Sequence, residues 1–122
     1  MLRDTAQRRA IREVFRREAR PLSPGEVLHG GQDSVPSLGI ATVYRNIKAL
    51  MTEGWLKTVQ LPGDSARYEL SARPHHHHFV CKCCNQAFDI EACPSGVEAL
   101  APAGFRVEAH EVTLYGRCPA CA

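Results

Sequence analysis

The sequence predicts an α+β fold in two parts, a winged helix-turn-helix followed by a small α/β domain stapled by zinc. Three observations predict it. The first half reads as three short helices and then a hairpin, the order of a winged helix-turn-helix. Four consecutive histidines, His75 to His78, run into a strand-like stretch ending on Cys81-Lys82-Cys83-Cys84. Two Cys-x-x-Cys pairs, Cys81/Cys84 and Cys118/Cys121, have the ligand spacing of a structural tetrathiolate zinc site. They stand farther apart than in a compact zinc ribbon, so a whole small domain lies between them.

Thr5 caps a first helix that runs to about Glu18, with Ala6, Ala10, Ile11, Val14 and Phe15 recurring on one face. Pro21 ends it. Ser23-Pro24-Gly25-Glu26 is a capping box with proline at the first helical position, and it opens a second helix that Gly30-Gly31 stops. The third helix spans Ile40 to about Glu53. Its buried stripe is Ile40, Val43, Ile47, Leu50 and Met51. The other face carries Ala41, Thr42, Arg45, Ala49 and Thr52, flanked by Tyr44 and Lys48. Such a small, polar, cationic face can approach a DNA groove closely. Arg45 suits a bidentate contact with guanine, and Tyr44 can reach a phosphate or a thymine methyl. Trp55–Gln60 and Ala66–Leu70 read as paired strands around the turn Pro62-Gly63-Asp64-Ser65. The domain boundaries expected are 1–71 for the winged helix, 72–74 for a hinge and 75–122 for the metal-rich domain. In that last part, strands are expected over His75–Cys81, Gln86–Ile90 and Phe105–Tyr115, with a short helix over Val97–Ala101.

Composition bounds the function. The chain has 122 residues, six cysteines and a formal net charge of +2. No apolar run approaches the ~20 residues of a membrane span, and no secretory leader is recognisable, which points to a cytoplasmic protein with reduced or metal-bound thiols. The charge is uneven. Residues 1–20 hold seven arginines against three acids, whereas residues 71–122 hold four basic and five acidic side chains. The first half is therefore the part suited to a polyanion.

If residues 75–81 form a strand, successive side chains alternate between faces. His75 and His77 then point one way, and His76 and His78 the other, so one strand can serve two metal sites.

Gly39-Ile40-Ala41-Thr42-Val43-Tyr44-Arg45, Arg67-Tyr68-Glu69-Leu70, His75–Cys84 and Leu114-Tyr115-Gly116-Arg117-Cys118-Pro119-x-Cys121 occur in that order. Together they resemble the ferric uptake regulator family of bacterial metal-dependent repressors, over nearly the whole chain. The resemblance implies a winged helix that binds double-stranded operator DNA, a C-terminal domain that forms a homodimer, and metal control without a small-molecule substrate or a membrane. It implies structural Zn(II) on Cys81, Cys84, Cys118 and Cys121. It implies a sensing site on Glu69, His76, His78 and Asp89, and a further site on His75, His77, Glu98 and His110. Thr42, Tyr44, Arg45, Lys48 and Arg67 fall on the DNA-binding segment, and Arg3 matches a basic residue that approaches the minor groove. The chain departs from the family where many members place a metal-binding histidine before the second helix. It has Arg20-Pro21 there.

The mixed nitrogen–oxygen sensing set suits Fe(II), Mn(II) or Zn(II), and affinity order alone does not choose among them. Zinc sensors of the family place a cysteine where this chain has Ser71, which argues for Fe(II) or Mn(II). Asp89 resembles peroxide-sensing members and Glu69 iron-sensing ones, so peroxide sensing and zinc sensing are the alternatives. Cys83 reads as a bystander. Cys93 reads as an inert thiol, a redox thiol or an alternative ligand. A metal-dependent hydrolase would need an His-Glu-x-x-His helix or a deaminase signature, and neither occurs. A metal-storage protein would not need the cationic third helix.

Overall fold

The computed structural model describes residues 5–122. Arg3, expected at the minor groove, lies outside the described residues. The chain divides into two compact units, with the boundary between Arg73 and Pro74.

In the first unit, α1 (Ala6–Glu18), α2 (Pro24–Gly31) and α3 (Ile40–Thr52) precede the hairpin of β1 (Leu56–Val59) and β2 (Arg67–Leu70). The helix starts follow the caps in the sequence. Thr5 Oγ1 accepts the Arg8 N–H at 3.1 Å. Ser23 and Glu26 exchange both bonds of the capping box, at 3.2 and 3.0 Å. Ile11, Val14 and Phe15 of α1 pack with Val27 of α2 and Val43, Ile47 and Leu50 of α3 in one core. The α2 end packs closely, since a Cβ on Gly31 would stand 2.6 Å from the Leu38 Cδ2 methyl and that side chain would have to shift to admit it. An isolated bridge between Leu22 and Tyr68 ties the α1–α2 connection to the hairpin.

Two expectations change here. Ile40, placed on the buried stripe of α3, is 43 % exposed because it opens the helix beyond the reach of the core. Arg67, placed at the DNA, is buried: its Nε donates to Asp64 at 2.6 Å and its Nη1 to Glu26 at 3.0 Å. It joins the hairpin turn to α2 and cannot reach a phosphate without giving up both carboxylates. The arginines of α1 do not all point into solvent. Arg8 is buried with Nη2 3.3 Å from Glu53, and Arg16 lies over the Trp55 ring at 5.4 Å. Arg67→Ala should destabilise the first unit by about 2 kcal/mol in urea unfolding. That is less than the roughly 3–5 kcal/mol for a fully buried broken pair, because Glu26 and Asp64 keep partial access to water.

The second unit is a three-stranded sheet in the order β4-β3-β5, formed by β3 (His77–Cys81), β4 (Ala87–Ile90) and β5 (Thr113–Gly116). β3 is central, antiparallel to β4 and parallel to β5. The strand expected from His75 starts two residues later, at His77. The strand expected over Phe105–Tyr115 shrinks to Thr113–Gly116. The cause is register: Thr113 pairs with His78, so 105–111 would have to ladder against residues upstream of the β3 start. Residues Val97–Leu100 form a single turn of 3-10 helix. Within the described residues no helix is long and apolar enough to cross a membrane.

Candidate metal centres and nucleic-acid face

β3 and its lead-in supply donors to three clusters. At its C-terminal end, Cys81 closes the strand. Cys84 follows in the turn, and Cys118 and Cys121 come from the segment after β5. The four Sγ atoms lie within 4.8 Å of one another, and Cys84 Sγ is 3.8 Å from Cys118 Sγ. A tetrahedral zinc with Zn–S near 2.3 Å puts its sulfurs about 3.8 Å apart, so the set fits the ion. Cys81 Sγ also accepts the N–H of Cys84 at 3.5 Å and of Cys118 at 3.4 Å. These donors hold the Cys81 thiol down to about 6, which favours the thiolate that a metal needs. Cys121 is pushed up, chiefly by Cys83 and then by Cys118. Loading zinc onto the four would therefore release protons.

On one face of β3, His78 pairs with Asp89 of β4. His76 Nε2 is 3.5 Å and His78 Nε2 3.8 Å from Asp89 Oδ1, and the two rings stand 4.8 Å apart. His76 Nδ1 donates to the Pro74 carbonyl at 2.8 Å. That bond places the ring proton on Nδ1 and leaves the Nε2 lone pair toward Asp89, the arrangement that orients a metal-binding imidazole. Glu69 belongs to the first unit. It lies on β2 opposite Lys57, whose Nζ is 3.7 Å from its Oε1.

On the other side, His75, His77 and His110 come together. The His75 and His77 rings are 4.6 Å apart, and His75 and His110 5.2 Å. Burial first, then His75 and His110, holds His77 below the usual imidazole value, keeping it neutral. The fourth donor in this group is Cys93. Glu98 is exposed on the 3-10 turn and is not among these donors. The alternation of the four histidines thus survives, although the strand begins only at His77. Cys93 could be suspected as an alternative ligand from its chemistry, but nothing in the local spacing joins it to His75, His77 and His110.

α3 presents Tyr44 (55 % exposed), Arg45 and Lys48 to solvent, and Thr42 is partly buried. Arg45 Nη2 donates to Thr42 Oγ1 at 3.0 Å, steadying the guanidinium along the helix.

The family model described as the ferric uptake regulator family matches residues 1–115. The transcriptional regulator FurA of Mycobacterium tuberculosis is 30 % identical, across 99 % of this chain and 84 % of that protein. A solved structure of the ferric uptake regulator of Francisella tularensis with iron superposes at a TM-score of 0.69, with 27 % identity, covering 98 % of this chain and 94 % of that one. A zinc-bound manganese uptake regulator shares the fold at a TM-score of 0.81, with 24 % identity over 96 % of this chain and 91 % of that one. With the winged-helix order, the paired cysteines and the histidine strand all in place, the chain belongs to the ferric uptake regulator family of metal-responsive, DNA-binding transcriptional regulators, which are not enzymes.

Proposed function

We propose that this chain is a homodimeric repressor in the cytoplasm that binds operator DNA when Fe(II) or Mn(II) occupies Glu69, His76, His78 and Asp89, with structural Zn(II) on the four paired cysteines. The carrying observation is His76, whose ring is oriented by Pro74 with its Nε2 lone pair toward Asp89. A nitrogen–oxygen donor set without sulfur suits these cations. When bound, the cation supplies a link between carboxylate and imidazole groups on opposite sides of the chain's domain boundary. Residues 1–71 act as the DNA-binding domain, 72–74 as the hinge and 75–122 as the dimerisation domain. Glu69 holds the winged-helix side of the link, and His76, His78 and Asp89 hold the other. Only seven positions of chain separate Glu69 from His76, so the link is short and biases the hinge toward one geometry. In a dimer, the two α3 helices must stand about one DNA turn apart, ~34 Å, to enter successive major grooves.

The dimer reading rests on the second unit. Leu100, Phe105, Leu114 and Tyr115 are all exposed there, between 49 and 84 %. β5 is an edge strand, and the stretch before it has no strand to pair with in its own unit. A second copy of the same unit supplies cover for both.

The test is a titration of Fe(II), Mn(II) and Zn(II) into the zinc-loaded protein, reading retention of a duplex selected from a random pool. DNA binding that ignores added metal would overturn the proposal. In the same assay Arg45→Ala should weaken selected duplex by about 1–3 kcal/mol and relax sequence preference. Equal loss on selected and random duplex would instead make Arg45 a phosphate contact.

A further inference from the structure

The third donor cluster lies wholly within the second unit and mixes nitrogen with sulfur. Cys93 comes from the loop after β4, His110 from the irregular stretch before β5, and His75 and His77 from the start of β3. One donor atom from each lies within 4.8 Å of all the others. Cys93 Sγ is 3.1 Å from His110 Nε2 and 3.8 Å from His75 Nε2, and His75 Nε2 is 3.2 Å from His77 Nε2. A tetrahedral cation with Zn-like bond lengths sets nitrogens about 3.3 Å apart and nitrogen about 3.6 Å from sulfur. The nitrogen–nitrogen separation of 3.2 Å is close to the first value, and the nitrogen–sulfur separations of 3.1 and 3.8 Å bracket the second.

Cys93 belongs to neither Cys-x-x-Cys pair, and among these four donors it alone can carry negative charge. We propose that Cys93, with His75, His77 and His110, forms an imidazole–thiolate site for a borderline-soft divalent cation of the zinc or cobalt(II) type, and that Cys93 rather than Glu98 supplies its anionic ligand. On binding, the Cys93 S–H bond ionises, the sulfur's electron pair goes to the cation and the proton leaves to solvent. Thiolate in the donor set separates this site from the oxygen-bearing set of His76, His78 and Asp89 and favours a softer metal. His77 is the member that must rearrange. Its Nδ1 accepts the Val112 N–H at 3.1 Å, so the neutral ring carries its proton on Nε2. His75, Cys93 and His110 are therefore the first three ligands, and His77 joins when its ring gives up Val112.

The test uses the full chain with zinc retained on its paired cysteines and Cys83→Ser as the background, titrated with Co(II) and followed by absorption. The proposal expects a thiolate-to-cobalt charge-transfer band. In Cys93→Ser that band should vanish and Co(II) affinity should fall about tenfold or more, while Glu98→Ala keeps both. No band in the parent, an unchanged band in Cys93→Ser, or loss of the site in Glu98→Ala alone would overturn it. Should Cys93→Ser lose its structural zinc, alkylation of Cys93 in the unsubstituted chain decides. Added Zn(II) should slow that alkylation about tenfold, and an unchanged rate would sink the proposal.

Discussion

Cys118→Ser should be purified without zinc, without a stable second unit and without the dimer. The second unit has little else to hold it: among its described residues the buried apolar side chains are Val80, Cys81, Ala87 and Cys118. Two of those four, Cys81 and Cys118, belong to the proposed zinc set. Cys81 ends β3 and Cys118 follows β5, so the thiolate cluster pins the ends of neighbouring parallel strands. The lost serine–sulfur exchange is not a small polar change, because structural zinc contributes on the order of 10 kcal/mol to folds of this size. Metal analysis should fall from one zinc per chain to none, and sedimentation should report monomer or aggregate. A zinc-free Cys118→Ser protein that remains a native dimer would show that the strands hold without the staple.

His76→Ala should abolish metal-dependent DNA binding while leaving the structural zinc and the dimer in place. His78→Ala should behave the same way, since both rings face Asp89. His75→Ala and His77→Ala should keep metal-dependent binding, with the metal requirement moved a few-fold at most, because their partners His110 and Cys93 belong to the same unit. A site contained in one unit cannot set the angle between two. The four variants are compared by titrating metal at fixed labelled duplex and reading the fraction bound. Equal loss in the odd and even variants would refute the division of labour. A fully responsive His76→Ala protein would remove His76 from the sensing site.

The features legible in the sequence were those determined locally. Thr5, Ser23 and Glu26 bond groups within three residues of themselves, so their caps follow from chain order alone. The histidine alternation needs only extended backbone, and the thiolate pairs need only a turn. Arg67 illustrates the opposite case. Its partner Glu26 is 41 positions away, and its place in a segment resembling the family's DNA-binding part made it read as a DNA contact. Cys93 met His110 and His75 through the folding of a loop that has no periodic signal. The long strand expected before Tyr115 failed for a similar reason: its residues are suited to extended structure, but the strand they would ladder against starts at His77. Strand length is a property of the pair.

The alternation at 75–78 has a consequence for how this protein can change over generations. β3 reads its donors in a frame of two. Substituting one histidine removes one ligand from one site and leaves the other intact. Inserting or deleting one residue between His78 and Cys81 would be different in kind. With the thiolate anchored, every histidine would cross to the opposite face, and each site would receive the other's imidazoles. Insertions of two would restore the faces but carry the rings one full pleat, about 7 Å, away from their partners. The lineage can therefore exchange metals here by point substitution, while the spacing of this strand is closed to gradual drift.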